Sequence, residues 1–462
     1  MSFPDLVIVL PGISGSVLAK DGRDIWGTSA GAIWSTVSSG GSSIRALELK
    51  APDDPSLDDL GDGVTATRLV RDLHLIPGLW KIDGYSRILA RLQADLGLAP
   101  GRNLFEFPYD WRRDNRVAAR RLQRNAHEWL TAWRDQSGNA AAKLVLVGHS
   151  MGGLVSRYFL EVLDGWKDAR ALITFGTPYR GSLNALGYVS NGYATGIGPL
   201  QIDMSKTLQS MTAVYQLLPA FQCIDRGTGN LERVGEADGI PNVDAARARD
   251  ALHFYREMND AQQSNAKLDA YHTSKYNVFP IVGLAQPTFQ SAHVANGKLA
   301  LLQSIGGKDL SGDGTVPRVS ATPPELSTAQ REIFVSELHG SLQNFDPALV
   351  NLIATLQGTE IDLSQFNFAG PATVSLQVDD VYAPDLVTVR ATPSFEAPIT
   401  ASIVDATTGA VVKALPLQQT GDAYVANTSL PPGPYRITAT AQFSDRPVSV
   451  TDVFLVIDPA RA

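Results

Sequence analysis

One cysteine, Cys223, in 462 residues rules out an intrachain disulfide and fits a reducing compartment. Positive charge is also short: 39 Lys and Arg against 47 Asp and Glu leave a net charge of −8, so nothing favours a nucleic acid as partner. No stretch reaches the roughly 18 apolar residues that a membrane-spanning helix needs. The opening Met1-Ser-Phe-Pro-Asp-Leu lacks a basic region and carries Asp5, so it reads as the approach to a strand and not as a signal peptide. Internal repeats and low-complexity segments are missing as well. These absences leave an ordinary globular chain, 44% hydrophobic and long enough for two or three domains, expected in the cytoplasm and at most peripheral at a membrane.

What is present divides at about residue 360. Short runs apolar on both faces, at 6–10, 144–147, 171–175, 278–282 and 332–335, read as buried parallel strands. Helical patterns at 85–96 and 117–133 lie between them, which predicts a mostly parallel sheet with helices on both faces over residues 1–360. The interval 183–276 shows no clear strand and is expected to form a helical lid, with further helical core as the alternative. Residues 357–371 read as a loop. Over 371–462 the pattern turns to alternating runs separated by Gly and Pro turns. Six or seven short strands there predict an all-β immunoglobulin-like sandwich, without the Cys…Trp…Cys hallmark.

The most informative segment is Lys143-Leu-Val-Leu-Val-Gly-His-Ser-Met-Gly-Gly153, a buried-strand pattern running into Gly-x-Ser-x-Gly. A serine hydroxyl is a poor nucleophile until it is exposed beside a base, and a sharp strand-to-helix turn lifts Ser150 above the sheet edge. Gly148 and Gly152 leave room for that turn. A base and an orienting acid must follow in the order Ser, acid, His. Of seven histidines, His339 follows a strand-like run and precedes Gly340-Ser341, the loop position a sheet-edge base requires. His293, in a polar loop, is the runner-up; His253 and His272 fall in the expected lid, and His149 adjoins the serine but points away across the turn. Asp313, between glycines in Ser311-Gly-Asp-Gly-Thr-Val-Pro317, is the candidate acid, with Asp309 its competitor. That loop half-matches a calcium loop, but its twelfth position is Ser320 and not Glu, so no metal is expected, nor any other cofactor. The oxyanion needs two N–H donors, and the backbone amides of Ile13 and Met151 are the candidates. Asp110 and Arg112 read as a structural pair, and Trp26 and Trp34, in a helix-like stretch, as packing or lipid-facing residues.

Several segments carry a more specific likeness. Leu10-Pro-Gly-Ile-Ser-Gly-Ser16, Phe107-Pro-Tyr-Asp-Trp-Arg112, Gly148-His-Ser-Met-Gly152 and Thr174-Phe-Gly-Thr-Pro-Tyr-Arg-Gly-Ser182 appear in that order. Val214-Tyr-Gln-Leu-Leu-Pro219, Gly312-Asp-Gly-Thr-Val-Pro317 and Leu338-His-Gly340 follow them. Together they resemble the lecithin:cholesterol acyltransferase and lysosomal phospholipase A2 family of α/β-hydrolases. The resemblance implies an α/β-hydrolase fold, Ser150, Asp313 and His339 at the triad positions, and Ile13 and Met151 at the oxyanion hole. It also implies action on acyl esters of glycerophospholipids at a membrane or micelle surface, releasing the acyl group as a phospholipase A or passing it to an alcohol. The chain departs from secreted members by lacking their disulfides and by its β-rich C-terminal region. A binding protein with a dead hydrolase core is the reading from another class, and the complete Ser, Asp and His set in order speaks against it. No catalytic constellation falls in the C-terminal region, so a packing, surface-binding or regulatory-partner role is expected of it. A lipase made beside its own membrane needs restraint, and either the lid or this region is expected to supply it.

Overall fold

In the computed structural model six runs form one parallel sheet: β1 (Leu6–Leu10), β2 (Leu104–Glu106), β3 (Leu144–His149), β4 (Ala169–Phe175), β5 (Asn277–Gly283) and β6 (Ile333–Val335). Their spatial order is β6-β5-β4-β3-β1-β2, every pair parallel. The structure describes residues 3–27, 46–71, 74–76, 80–195, 202–274, 276–326, 332–358, 372–443 and 447–458.

Alternation along each strand builds two cores. Leu6, Ile8, Leu10, Leu144, Leu146 and Leu172 point to one face, where α2 (Asn115–Ser137) and α3 (Met151–Val162) cover them. Val7, Val9, Val145, Val147 and Ile173 point to the other, against α1 (Ser86–Leu96) and α6 (Asp346–Gln357). A strand buried on both faces must be apolar at every position, which is why these runs lack a polar alternation. Each such side chain contributes about 1.5–3 kcal/mol by leaving water. The helices are bounded by ordinary caps: Asp114 accepts from Arg116 N at the start of α2, and Gly138, in the left-handed region, ends it. The resulting layers, helices on both faces of a parallel sheet, are those of an α/β-hydrolase.

The interval 183–276 is not a single cover. Its longest helix, α5 (Ala245–Asn265), buries Ala248, Ala251, Phe254 and Met258, and Phe254 stacks on Tyr158 of α3 at 5.5 Å. That part is core. The end nearer the serine, α4 (Leu183–Asn191) and the short helix Thr212–Tyr215, borders the cavity described below. Ile224–Asp225 shares a small sheet with Ser291–Ala295, so the insertion is tied to residues beyond its expected end. Among the described residues no helix is long and apolar enough to cross a membrane. Trp26 ends a strand, Arg23–Trp26, not a helix; its indole donates to Ser14 O at 2.7 Å and meets Trp111 edge-on at 5.1 Å. Packing, not lipid contact, is its role. Trp34 and most of the 357–371 loop lie outside the described residues.

The C-terminal region is all-β. One antiparallel sheet contains β7 (Val374–Val378), β8 (Val387–Pro393), β11 (Gln418–Thr420) and β12 (Ala423–Thr428). The other contains β9 (Ile399–Asp405), β10 (Val411–Pro416), β13 (Gly433–Gln442) and β14 (Pro447–Ile457), with Val381–Tyr382 added in parallel at its edge. Val387, Val389 and Ala391 of one sheet face Ile399, Ala401 and Ile403 of the other across a shared core. The count exceeds the six or seven strands expected, because β10 and β11 are almost wholly exposed and carry no inward alternation to read.

Candidate active site

In-register pairing of β1 with β3 sets Leu10 opposite Gly148, so the loop after β1 and the turn after β3 leave the same sheet edge. In that turn Ser150 has φ 51° and ψ −124°, a positive φ that a serine adopts only when its neighbours impose it. Three hydrogen bonds do so. Ser150 N donates to Phe175 O at 2.8 Å, while Gly153 N and Thr177 Oγ1 donate to Ser150 O at 3.0 and 2.9 Å. A Cβ at Gly152 would lie 2.5 Å from Pro11 O, so α3 approaches the first loop this closely only because glycine stands there.

His339, on the loop after β6, points its Nε2 at Ser150 Oγ, 2.9 Å away, and its Nδ1 at Asp313 Oδ2, 2.8 Å away. Asp313 is buried, and its other oxygen accepts from Thr315 N at 3.0 Å and Val316 N at 2.7 Å. A carboxylate can only accept, so Nδ1 carries the proton and Nε2 is free to take one from the serine. Ile13 lines the cavity beside Ser150, and Met151 is the first residue of α3, immediately after the serine.

The runners-up lie elsewhere. His293 is on a hairpin, 3.7 Å from Asp225; His253 faces Glu257, and His272 bonds the Ala266 carbonyl. Asp309 is held by Ser311 N and Gln290 Nε2. Arg112 is fully buried between Asp110 (2.6 Å) and Asp62 (2.9 Å), and neither Arg112 nor Asp110 lines the cavity at Ser150. Among the described residues no group of three or more His, Cys, Asp or Glu side chains could hold a metal ion.

Two features escaped sequence reasoning. Gly176, at φ 57° just after β4, sits beneath the acid–base pair. A Cβ there would lie 2.9 Å from both Asp313 Oδ2 and His339 Nδ1. The second is a relay built on His149. Gly12 N donates to Tyr85 Oη (2.9 Å), the Tyr85 hydroxyl donates to His149 Nδ1 (2.8 Å), and His149 Nε2 donates to the His339 carbonyl (3.1 Å). The donor sense follows because the His339 carbonyl can only accept. Burial, and next the nearby His339 ring, push the His149 pKa down to about 3, so it stays neutral. One histidine thereby joins the loop after β1, the serine turn and the loop carrying His339. Only a tyrosine 64 residues upstream could have signalled it, and no local pattern connects the two.

The cavity above Ser150 is about 270 Å³. Ile13, Ile82, Ala185, Val214, Leu217 and Leu338 give it apolar lining, and Ser150, His339 and Asp452 are among its polar lining. Leu217 and Leu218 both belong to the core, and Leu217 also lines the cavity.

Residues 79–271 match the family model for lecithin:cholesterol acyltransferase. Over that stretch the chain is lecithin:cholesterol acyltransferase-like. The human lysosomal phospholipase A and acyltransferase is 29% identical over 154 residues, 31% of this chain and 35% of the relative. An uncharacterised protein of Saccharomyces cerevisiae is 28% identical over 172 residues, 37% of this chain and 23% of the relative. The chain thus matches about a quarter to a third of these relatives' length. Among solved structures, phospholipase PlaB of Legionella pneumophila is 10% identical with a TM-score of 0.35, covering 98% of this chain and 92% of that one. The lipase BlEst2 of Bacillus licheniformis is 13% identical with a TM-score of 0.31, covering 76% and 92%. Likenesses this slight add nothing to the topology described above.

Proposed function

We propose that the protein is a serine esterase acting on lipid acyl esters, in the first place a phospholipase A on glycerophospholipids. The observation that supports this best is the unbroken hydrogen-bonded line from Asp313 through His339 to a strained Ser150 at the end of an apolar cavity. Ser150 Oγ attacks the ester carbonyl carbon while His339 Nε2 takes its proton, and Asp313 stabilises the imidazolium. The amides of Ile13 and Met151 hold the oxyanion. Collapse breaks the ester bond, and the leaving lysophospholipid alkoxide takes the proton from His339. Water then gives up a proton to His339 and adds to the acyl-serine; collapse releases the fatty acid, and Ser150 Oγ takes the proton back from His339.

A second reading is transfer of the acyl group to an alcohol. It is favoured by the matching family, which is named for acyl transfer, and by the human relative, whose name carries both activities. The chemistry is identical up to the acyl-serine, and the acceptor decides between the two. A fluorophosphonate probe should label Ser150 in the intact protein, located by peptide mass spectrometry, and no label on Ser150→Ala. Labelling elsewhere would contradict the assignment. Adding a long-chain alcohol to the phospholipid assay divides the two readings: free fatty acid alone means hydrolysis, and an acyl ester of the alcohol means transfer.

A further inference from the structure

The loops that carry the acid and the base both lean on the C-terminal sandwich. Glu337, two residues before His339, is fully buried, and its Oε1 accepts from Leu338 N at 2.8 Å and from Thr451 N of β14 at 3.0 Å. Ser336 Oγ donates to Val374 O of β7 at 3.3 Å. Leu338 packs against the sandwich core and also lines the catalytic cavity. On the acid side, Gln286 forms a bridge with Asp313, its backbone N donating to Gly312 O at 3.0 Å. Its side chain clasps β7 twice, Nε2 to Val374 O and Oε1 from Leu376 N, both at 3.3 Å. Arg436 of β13 pairs with Asp83, whose backbone N donates to the Gly340 carbonyl at 3.0 Å. Asp452, next to Thr451, is part of the cavity wall itself.

We propose that the C-terminal sandwich is a working part of the active site, and that Glu337 is the positioning residue through which β14 holds His339 in line with Ser150 and Asp313. This rests on the serine reading above. His339 is otherwise tied through its own backbone N to Asp313 O (2.9 Å) and through its carbonyl to His149. Those bonds fix the backbone of one residue. The direction from which the loop enters is set by Glu337, which joins it to a strand 114 residues away.

The chemistry of Glu337 suits a clamp and not a catalyst. With no exposure, burial raises its carboxyl well above the usual range and so favours the neutral form. A neutral carboxyl presents one carbonyl oxygen, which takes both amide donors, and one hydroxyl. Its Oε2 is buried without a protein partner, and Glu337 lines a cavity of about 330 Å³ between the two regions, together with Asp83, Asn344, Arg436, Thr438 and Thr451. Glutamine offers the same carbonyl with an NH₂ in place of the hydroxyl, so it should substitute. Alanine leaves Thr451 N without its acceptor and frees the loop.

The test is steady-state hydrolysis of a fatty-acyl p-nitrophenyl ester by the full chain, with the low-field proton resonance of the Asp313–His339 hydrogen bond as a second readout. Glu337→Ala should lower kcat about 30-fold with KM within about threefold, as loss of an aligned base does, and should weaken or abolish the resonance. Glu337→Gln should keep both near wild type. Ser150→Ala should lose activity but keep the resonance, which separates failure of the serine reading from failure of this one. Undiminished kcat and resonance in a folded Glu337→Ala would overturn the proposal. If Glu337→Ala does not fold, Glu337→Gln alone decides: activity near wild type supports the clamp, and loss of activity in a folded Glu337→Gln overturns it.

Discussion

His149 stands next to the nucleophile in sequence, yet its ring serves the scaffold. Its hydrogen bonds to Tyr85 and to the His339 carbonyl close a ring of three loops around Ser150. Removing the phenol with Tyr85→Phe takes away a buried donor worth about 1–2 kcal/mol, so kcat should fall roughly tenfold while KM holds. A KM change with kcat intact would contradict a positioning role. The depressed pKa of His149 also has a thermodynamic sign. The folded state binds fewer protons than the unfolded state, whose histidine titrates at its ordinary value of 6.5. Stability therefore rises with pH through that window and is lost as pH falls from 6.5 toward about 3. Urea unfolding at several pH values should show a shallower acid decline for His149→Gln than for wild type. Ser150, Asp313 and His339, which hydrogen bonds join in the structure, were legible one by one, because each sits in a short glycine-containing motif. The Tyr85–His149 relay was not, because contacts across 64 residues leave no local periodicity.

At the scale of elements, the doubly buried strands were readable because a strand covered on both faces must be apolar throughout. β2 was not: it has three residues at the sheet edge, paired with β1, and carries too few side chains to establish a period. The same holds for the small sheet of Ser16–Lys20, Arg23–Trp26 and Val64–Leu69, whose outer strands are mixed in burial. The segment from Phe107 to Arg112 shows how burial decides a role. Arg112 has no exposed surface, whereas its partners Asp110 and Asp62 keep 15% and 31% of theirs. Arg112→Met should therefore cost about 2–3 kcal/mol, below the cost for wholly buried pairs because the stranded carboxylates reach solvent. Chemical denaturation checks the loss, and activity per folded molecule should stay unchanged. The cavity-lining side of the insertion predicts specificity. Leu217→Trp would fill the apolar cavity, so kcat/KM for long-chain esters should drop more than about tenfold while acetyl esters are spared. Equal loss on both would mean that Leu217 does not face the acyl chain.

For the whole molecule, the division near residue 360 was visible as a change from buried runs to alternating ones. How the two regions meet was not, because Gln286, Glu337 and Arg436 look like ordinary surface residues in a linear chain. Sequence left the C-terminal region a packing, surface-binding or regulatory-partner role. Its contacts set it against the cavity and against the loops that carry Asp313 and His339. Glu337 gives this arrangement a pH signature. Its folded pKa lies above the ordinary value of 4.5, so the folded state binds more protons than the unfolded one. Stability is full below 4.5 and declines as pH rises toward the folded pKa. Glu337→Gln removes that decline, and its melting temperature should gain on wild type as pH rises from 5 to about 8. A constant difference across that range would mean that the fold does not raise the Glu337 pKa.

The central claim is that Ser150 opens the acyl ester of a phospholipid. Mass spectrometry of mixed phospholipid vesicles, incubated with wild type and with Ser150→Ala, tests it most directly. The account predicts free fatty acid and lysophospholipid from the wild type alone. Equal product from Ser150→Ala, or diacylglycerol and a released headgroup in place of fatty acid, would contradict it.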